Sequence, residues 1–409
     1  MIIIVELMDD GIAHAPGNSQ WTQVIAKAAP HQTVRLLGPA RHIAALRADP
    51  NLTAHPNVRL EEIPVIAELR SRVNVATIKR FREEFSILRA ELAAVPHDEP
   101  CLVVFAAATP TAVHAARLAG RLLRRRVEVQ MVLHGFANEV EGWRSRNPLA
   151  RRFDLRGLMD RPPPGVRFLV LERAIAAELG RIVPASAERI DVLPLPVNAD
   201  EIDSAAVVPF GLPLKVALVG QTTPPKGIGP FLETARDFKA RYGEAIEFHV
   251  VGRRFPDTDR AALSVLAREI PEEFMSRAEF RERLAPIHYV FLPLQPVYYR
   301  LSPSGALIDA ITWLKPLIAS DIPICADAFA EGGDIGYLCH DLPAMQAALH
   351  SIMQNPDGVR YAAQVEAMRR LRQRRLPCSL VPAYADIISR HYSFLSPVAS
   401  RQEDGKPAP

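Results

Sequence analysis

Short apolar runs alternate with stretches of helical period along nearly the whole chain, and they do so in two successive series. In the first, Ile2–Leu7, Val34–Leu37, Cys101–Ala107, Val127–Leu133, Phe168–Leu171 and Ile190–Leu195 read as strands. Mostly apolar strands of this kind are buried on both faces, as in parallel sheets. Helices are predicted between them over Ser19–Ala29, His42–Arg47, Asn74–Ala94, Thr111–Arg124 and Ala174–Arg181. The second series has strands Val216–Gly220, Ile246–Gly252, Tyr289–Leu294 and Leu317–Ala319, with helices Gly229–Tyr242, Ala261–Arg268 and Gly305–Leu314. This pattern specifies an α/β chain of two Rossmann-like, doubly wound domains. The expected boundaries are an N-terminal domain over 1–197, a proline-marked linker over 198–213 and a C-terminal domain over 214–379. A last helix over 380–395 and a disordered tail over 396–409 complete the reading. Ligands in such sheets sit beyond the carboxyl ends of the strands, so two facing halves would form a cleft.

Bulk properties narrow the function classes. A length of 409 residues suits two domains, and 48% hydrophobic with 23% charged residues is ordinary for a folded globular protein. A net charge of +3 gives no reason to expect a nucleic-acid partner. Cys101, Cys325, Cys339 and Cys378 have no metal-ligand spacing and read as free thiols in a reducing compartment. The start, MIIIVELMDDG, lacks the basic region and cleavage site of a signal peptide. No apolar run approaches the ~18–20 residues of a membrane span. A cytoplasmic protein is expected.

Two segments carry the chemistry. In LKVALVGQTTPPKGIGPF (214–231), Gly220 ends a strand and Lys226 sits in a Gly/Pro loop, with Gly227 and Gly229 opening a helix. Free N–H groups at a helix start and a nearby ammonium attract phosphate. In YRLSPSGALIDAITWLKPLIAS (299–320), Ser302, Ser304 and Gly305 precede Asp309, which stands six residues before Lys315-Pro316. A carboxylate one turn into a helix can accept two hydroxyl hydrogens.

Together these segments resemble the donor half of GT-B glycosyltransferases, most closely the family 4 group. The resemblance implies that Lys226 neutralises a departing nucleoside diphosphate and that Asp309 binds the donor ribose. Ser302, Ser304 and Gly305 would face the diphosphate, and Gly220, Gly227 and Arg253 (in VVGRR) would complete the nucleotide site. His134, at the end of QMVLHG, matches the family's cleft-edge histidine and would touch donor sugar or diphosphate. The last helix often crosses back onto the N-terminal half in such proteins, although nothing in its own sequence requires this. One departure matters: the first of the family's two glutamates falls on Leu301, and the second is shortened to Asp309. Donor hexose and anomeric outcome therefore do not carry over.

On the acceptor side, Asp9, Asp10, His14 and Asn18 follow the first strand. Asp9 or His14 can serve as the base an inverting enzyme needs, with Glu139 and Glu141 as rivals. Asp257-Thr-Asp259 formally matches a metal-binding DxD but reads as a helix cap. No metal and no cofactor beyond a nucleotide-sugar donor are expected. Arginines cluster at 121–126, 144–161 and 369–375. The middle cluster, with Trp143, Phe153, Leu158 and Met159, resembles a basic amphipathic segment that could hold the protein against anionic lipid; solvated arginine on helices is the alternative. A saccharide or lipid-linked saccharide is the matching acceptor, in bacterial polysaccharide or glycolipid assembly on the inner membrane face. Two alternatives stand: an inactive GT-B scaffold, favoured by the missing glutamate, and a nucleotide-sugar epimerase, disfavoured because the C-terminal half has few candidate catalytic groups besides His249, His288 and His340.

Overall fold

The computed structural model describes residues 1–8, 14–66, 77–142, 144–205, 207–256, 258–273 and 275–396. Asp9, Asp10, Trp143, Asp257, the first residues of the helix predicted from Asn74 and the tail from 397 onward lie outside them. The chain forms two compact units. One takes Met1–Val132, Arg144–Leu169 and the chain from Leu380; the other takes Leu133–Trp143 and Val170–Ser379.

The first sheet contains β1 (Ile2–Glu6), β2 (Val34–Gly38), β3 (Val58–Glu62), β4 (Cys101–Ala107), β5 (Val127–Val132), β6 (Val166–Val170) and β7 (Ile190–Val192). Its order is β3-β2-β1-β4-β5-β6-β7. β1, β2 and β4 are mostly apolar and buried at every position, including the charged Glu6 of β1 and Arg35 of β2. β3 reads VRLEE and is only part-buried, an edge strand whose charges hide it from a search for apolar runs. In the same unit, the stretch from Leu380 to Ser396 is tied down by the Tyr384 hydroxyl donating to Gln130 Oε1 at 2.8 Å and by Gln32 Nε2 donating to the Leu395 carbonyl at 3.2 Å.

The second sheet contains β8 (Leu214–Val219), β9 (Ile246–Val251), β10 (Tyr289–Leu292), β11 (Leu317–Ser320) and β12 (Gly336–Cys339), in the order β12-β11-β10-β8-β9. Both sheets are Rossmann-like. The order reverses beside β1 in the first and beside β8 in the second, and ligand crevices form at such reversals, off the strands' carboxyl ends. β1 pairs parallel to both β2 and β4, and β8 to both β9 and β10.

Three helical expectations change. The stretch predicted as a helix over Ala261–Arg268 is a 3₁₀ turn, Ala261–Val265. It stops because Leu266 is extended and the Ala267 N–H is drawn to the Phe248 carbonyl of β9, at 2.9 Å. A helix the apolar pattern did not announce runs Arg277–Leu284, started by Ser276, whose side chain accepts the Glu279 N–H at 3.1 Å. Finally, Leu158 and Met159 are buried, so the arginine-rich segment turns them into the core and leaves Leu149 and Phe153 outside.

Candidate functional site

In the second unit, the residues that matter converge at the carboxyl ends of β8, β9 and β10. β8 ends in Gly220, with φ 102°, and Lys226 folds back beneath it from a 3₁₀ turn, Pro224–Lys226. The Lys226 ammonium donates to the Val219 carbonyl at 3.4 Å, and a Cβ on Gly220 would lie 2.1 Å from the Lys226 Nζ. Gly252, at the end of β9, is equally tight: a Cβ there would meet the Gly220 carbonyl at 1.9 Å. Only glycine lets these strand ends and the lysine share the space. The loops behind them are laced through buried Thr222. Its N–H donates to the Arg253 carbonyl at 3.2 Å, and its hydroxyl accepts the Phe255 N–H at 2.8 Å. Arg253 thus sits in the loop that follows β9, while Arg254 is paired with Glu272.

The helix Gly305–Thr312 opens at the same place. Ser304 is its cap, accepting the Leu307 N–H at 3.3 Å, and both Ser302 and Ser304 are buried. Their hydroxyls are spent on the backbone, leaving the helix N–H groups as the polar face. Nothing lies within 4 Å of where a Gly305 Cβ would be. One turn on, Asp309 keeps 28% of its side-chain surface open, and its Oδ1 is 4.0 Å from the Arg277 Nη2. Burial pushes its carboxyl up to about 6; Arg277 and Lys226 pull it down, and Glu201 pushes it up. Burial lowers Lys226 from the usual ammonium range, and Asp309 partly restores it. Each charge is thus the other's counter-ion in a poorly solvated place.

Glu201 and Arg277 were missed at the sequence level. Glu201 lies in the proline-marked stretch before β8, yet it is buried. Its Oε1 accepts from Arg277 Nε at 2.7 Å, and its Oε2 accepts the Trp313 indole N–H at 2.9 Å. The capping pattern Ser276-x-x-Glu279 is the signal that would have placed Arg277 in a helix's first turn. Lys315, by contrast, stands away from the cluster: fully buried, it donates to the Ala285 carbonyl at 2.7 Å and closes the helix Arg277–Leu284. Leu301, where a second carboxylate was sought, is a core residue.

His134 is half-buried in the turn after β5, just before Gly135 at φ 65°. Its loop is joined to the segment preceding the Gly305 helix: Asn138 Nδ2 donates to the Tyr298 carbonyl at 3.0 Å, and Glu141 pairs with Arg300. The other histidines of this unit have structural partners. His249 faces Glu247 at 3.0 Å, and His288 accepts the Lys215 N–H at 2.9 Å.

A second cluster lies in the first unit, at the carboxyl end of β1. Glu6 is fully buried there, beside a register shift between β1 and β4. Its Oε1 accepts the Met8 N–H at 2.8 Å; its Oε2 is 3.2 Å from His14 Nδ1 and accepts from Asn18 Nδ2 at 3.0 Å. Asn18 Nδ2 also reaches the buried His42 Nε2 at 3.1 Å. His14, one-third exposed, is the outward member of this set. Glu6 was read as part of an apolar strand, which concealed it. Among the described residues, no group of three or more His, Cys, Asp or Glu could hold a metal ion, and no helix is long and apolar enough to cross a membrane.

No protein-family model matches this sequence, and no curated protein matches it either. Solved structures do match in shape. A glycosyltransferase from Rickettsia africae aligns with a TM-score of 0.66 at 12% identity, over 96% of this chain and 98% of that one. Anabaena Alr3699/HepE, solved with UDP and glucose, aligns at 0.62 and 14%, over 95% and 100%. WaaG, a glycosyltransferase of lipopolysaccharide biosynthesis, aligns at 0.56 and 14%, over 95% and 100%. Two Rossmann-like units in one chain and end-to-end superposition on these proteins establish that this chain has the GT-B fold.

Proposed function

We propose that this protein transfers a sugar from a nucleotide-sugar donor to a hydroxyl acceptor. The observation that carries this reading is the meeting of Lys226, Asp309 and the open N-terminus of the Gly305 helix at the reversal beside β8. An anion fits the helix start and the ammonium, and a vicinal diol fits the carboxylate. A ribonucleoside diphosphate presents both groups, in that order. HepE, with the same fold, was solved with UDP, which supports a ligand of this class. The donor is the only small molecule the reading requires; no metal or further cofactor enters it.

In this reading the second unit binds the donor and the first the acceptor. His134 serves the transferred sugar or its diphosphate. His14, held through Nδ1 by the buried Glu6, or Asp9 five residues earlier serves as the base for the acceptor hydroxyl. A lipid-linked saccharide in polysaccharide or glycolipid assembly suits the first unit's surface. An apolar groove of about 280 Å³, lined by Ile78, Phe81, Leu149 and Phe153, adjoins Arg144, Arg151, Arg152 and Arg161. Ile78 and Leu149 are 74% and 67% exposed. Apolar side chains ringed by arginine suit an anionic membrane face.

The test is a thermal-shift panel of UDP, GDP, ADP and CDP with their sugar conjugates. A bound ligand at 100 times its Kd adds ~2.7 kcal/mol. One nucleotide should raise the melting temperature, and Asp309→Ala should abolish the shift. No response to any nucleotide would move the weight to a non-catalytic GT-B protein.

A further inference from the structure

Asp309 does not stand alone: Arg277, Glu201 and Trp313 form a linked set beside it. Arg277 projects from the first turn of the helix Arg277–Leu284. Its guanidinium is gripped on one edge by Glu201, with Nε at 2.7 Å from Oε1 and Nη2 at 2.5 Å from the same oxygen. Its flat face lies over the Phe280 ring, 4.5 Å from the centroid. Glu201 itself cannot swing, because its other oxygen holds the Trp313 indole N–H at 2.9 Å and the side chain is buried. The guanidinium is therefore fixed on one edge and one face while 40% of the side chain stays open, and its Nη2 points to Asp309 Oδ1 at 4.0 Å. A surface ion pair has no such scaffolding; its long side chains are loose and the pair contributes little.

We propose that Arg277, held by Glu201 and Trp313, is a positioning residue that keeps the Asp309 carboxylate charged and aimed at the donor's ribose hydroxyls. The inference rests on the donor-site reading above. A carboxylate accepts two hydroxyl hydrogens only when ionised; once protonated it can offer a hydrogen instead and loses one acceptor. Burial works against ionisation here, and the charged groups that face Asp309 divide in sign: Arg277 and Lys226 favour the charge, whereas Glu201 opposes it. Arg277 is the larger of the two favourable influences. Lys226 also has the phosphates to serve, so its charge is shared once donor binds. Arg277 is left as the dedicated partner of Asp309. Its fixed fork supplies that charge without the entropy cost of ordering a free side chain.

The experiment is calorimetric titration of the full chain with whichever of UDP, GDP, ADP or CDP binds best, from pH 5 to 9, for wild type, Arg277→Met and Arg277→Lys. Wild-type affinity should fall as pH drops through about 6, where Asp309 takes up a proton. In Arg277→Met the midpoint should rise by about one unit or more, because an adjacent arginine lowers a carboxyl by that much. That variant should bind at least about twofold more weakly at pH 7 and approach wild type at pH 9. Arg277→Lys, which retains the charge, should return most of the midpoint. A carbon-13 titration of the Asp309 carboxyl in the same proteins, without nucleotide, should show the same displacement. An affinity loss in Arg277→Met that is equal at every pH would overturn the inference and make Arg277 a direct ligand contact. An unmoved carboxyl titration would overturn it too, as would a melting temperature so reduced that the loss reflects unfolding in both variants. If wild type binds no nucleotide, the donor-site reading itself fails.

Discussion

At Gly227 the backbone has φ 77°, and a Cβ would lie 2.1 Å from the Pro293 carbonyl oxygen. Both the angle and the rigid neighbour exclude a side chain, so Gly227→Ala should lose ~2 kcal/mol or more in chemical denaturation, through strain and not through chemistry. Gly305 is the informative contrast. It has an ordinary helical backbone and open space around its missing Cβ. Gly305→Ala should leave stability unchanged or raise it slightly, since alanine favours helix. The added methyl would stand before the helix N-terminus, however, so nucleotide affinity should fall by about tenfold when measured calorimetrically. Affinity unchanged at tenfold precision would mean that no phosphate approaches this helix. On the first unit, His14→Ala should cut transfer while leaving nucleotide affinity within about twofold; equal losses in both would place His14 with the donor. The strand-to-helix loops that hold Gly220, Lys226 and Gly305, and the helix that carries Asp309, were legible because each glycine-containing loop joins an apolar run to a stretch of helical period. Glu6, Glu201 and Arg277 were not, because a buried carboxylate in an apolar strand or a proline-rich stretch has no periodic signature; only the partner it meets in space gives it meaning.

Helices and strands in the second unit are locked by charges as much as by apolar packing. Arg375 is buried between Glu172 and Glu331, at 2.9 and 2.8 Å, and so joins the start of the helix Arg173–Ile182 to the helix Pro323–Gly332. The Ala174 N–H donating to Asp327 at 2.8 Å adds a second tie between the same two helices. Arg375→Met should cost ~3–5 kcal/mol, because it strands buried carboxylate, and replacing Glu172 with leucine in the same chain should restore part of the loss. Lys315 gives a pH signature. Burial pushes its ammonium down to about 7, against ~10.4 in an unfolded chain. Between those values the unfolded chain binds the extra proton, so stability should rise with pH across that window and the penalty should be complete below it. Lys315→Met should flatten that part of the profile in denaturation measured from pH 6 to 10. Elements of this kind were only partly readable. Mostly apolar runs marked β1, β2, β4 and the core of the second sheet. The helix Arg277–Leu284 offers only Phe280 and Leu284 as buried apolar residues, too few for a period to show. β12 is four residues long, and β3 carries charge at alternate positions; each is held by its neighbour in the sheet and not by its own pattern.

For the whole molecule, the alternation of strand and helix was enough to specify two Rossmann-like halves, since right-handed crossovers leave few other arrangements. Ligands in such sheets sit at the reversal beside the first strand, and in both units that place holds charge: buried Glu6 in one, part-buried Lys226 and Asp309 in the other. Vesicles offer a test at this scale. The intact protein should sediment with anionic vesicles and not with neutral ones, and Leu149→Asp with Arg151→Glu should release it; equal binding to both vesicle types would remove the membrane from the account. The central claim is that a nucleotide diphosphate binds on the Gly305 helix, and a crystal structure with the best-binding nucleotide tests it most directly. Phosphate oxygens should lie against the Gly305 N–H and Lys226 Nζ, with both ribose hydroxyls on Asp309. Nucleotide bound elsewhere in the chain, or bound here with its ribose away from Asp309, would contradict it.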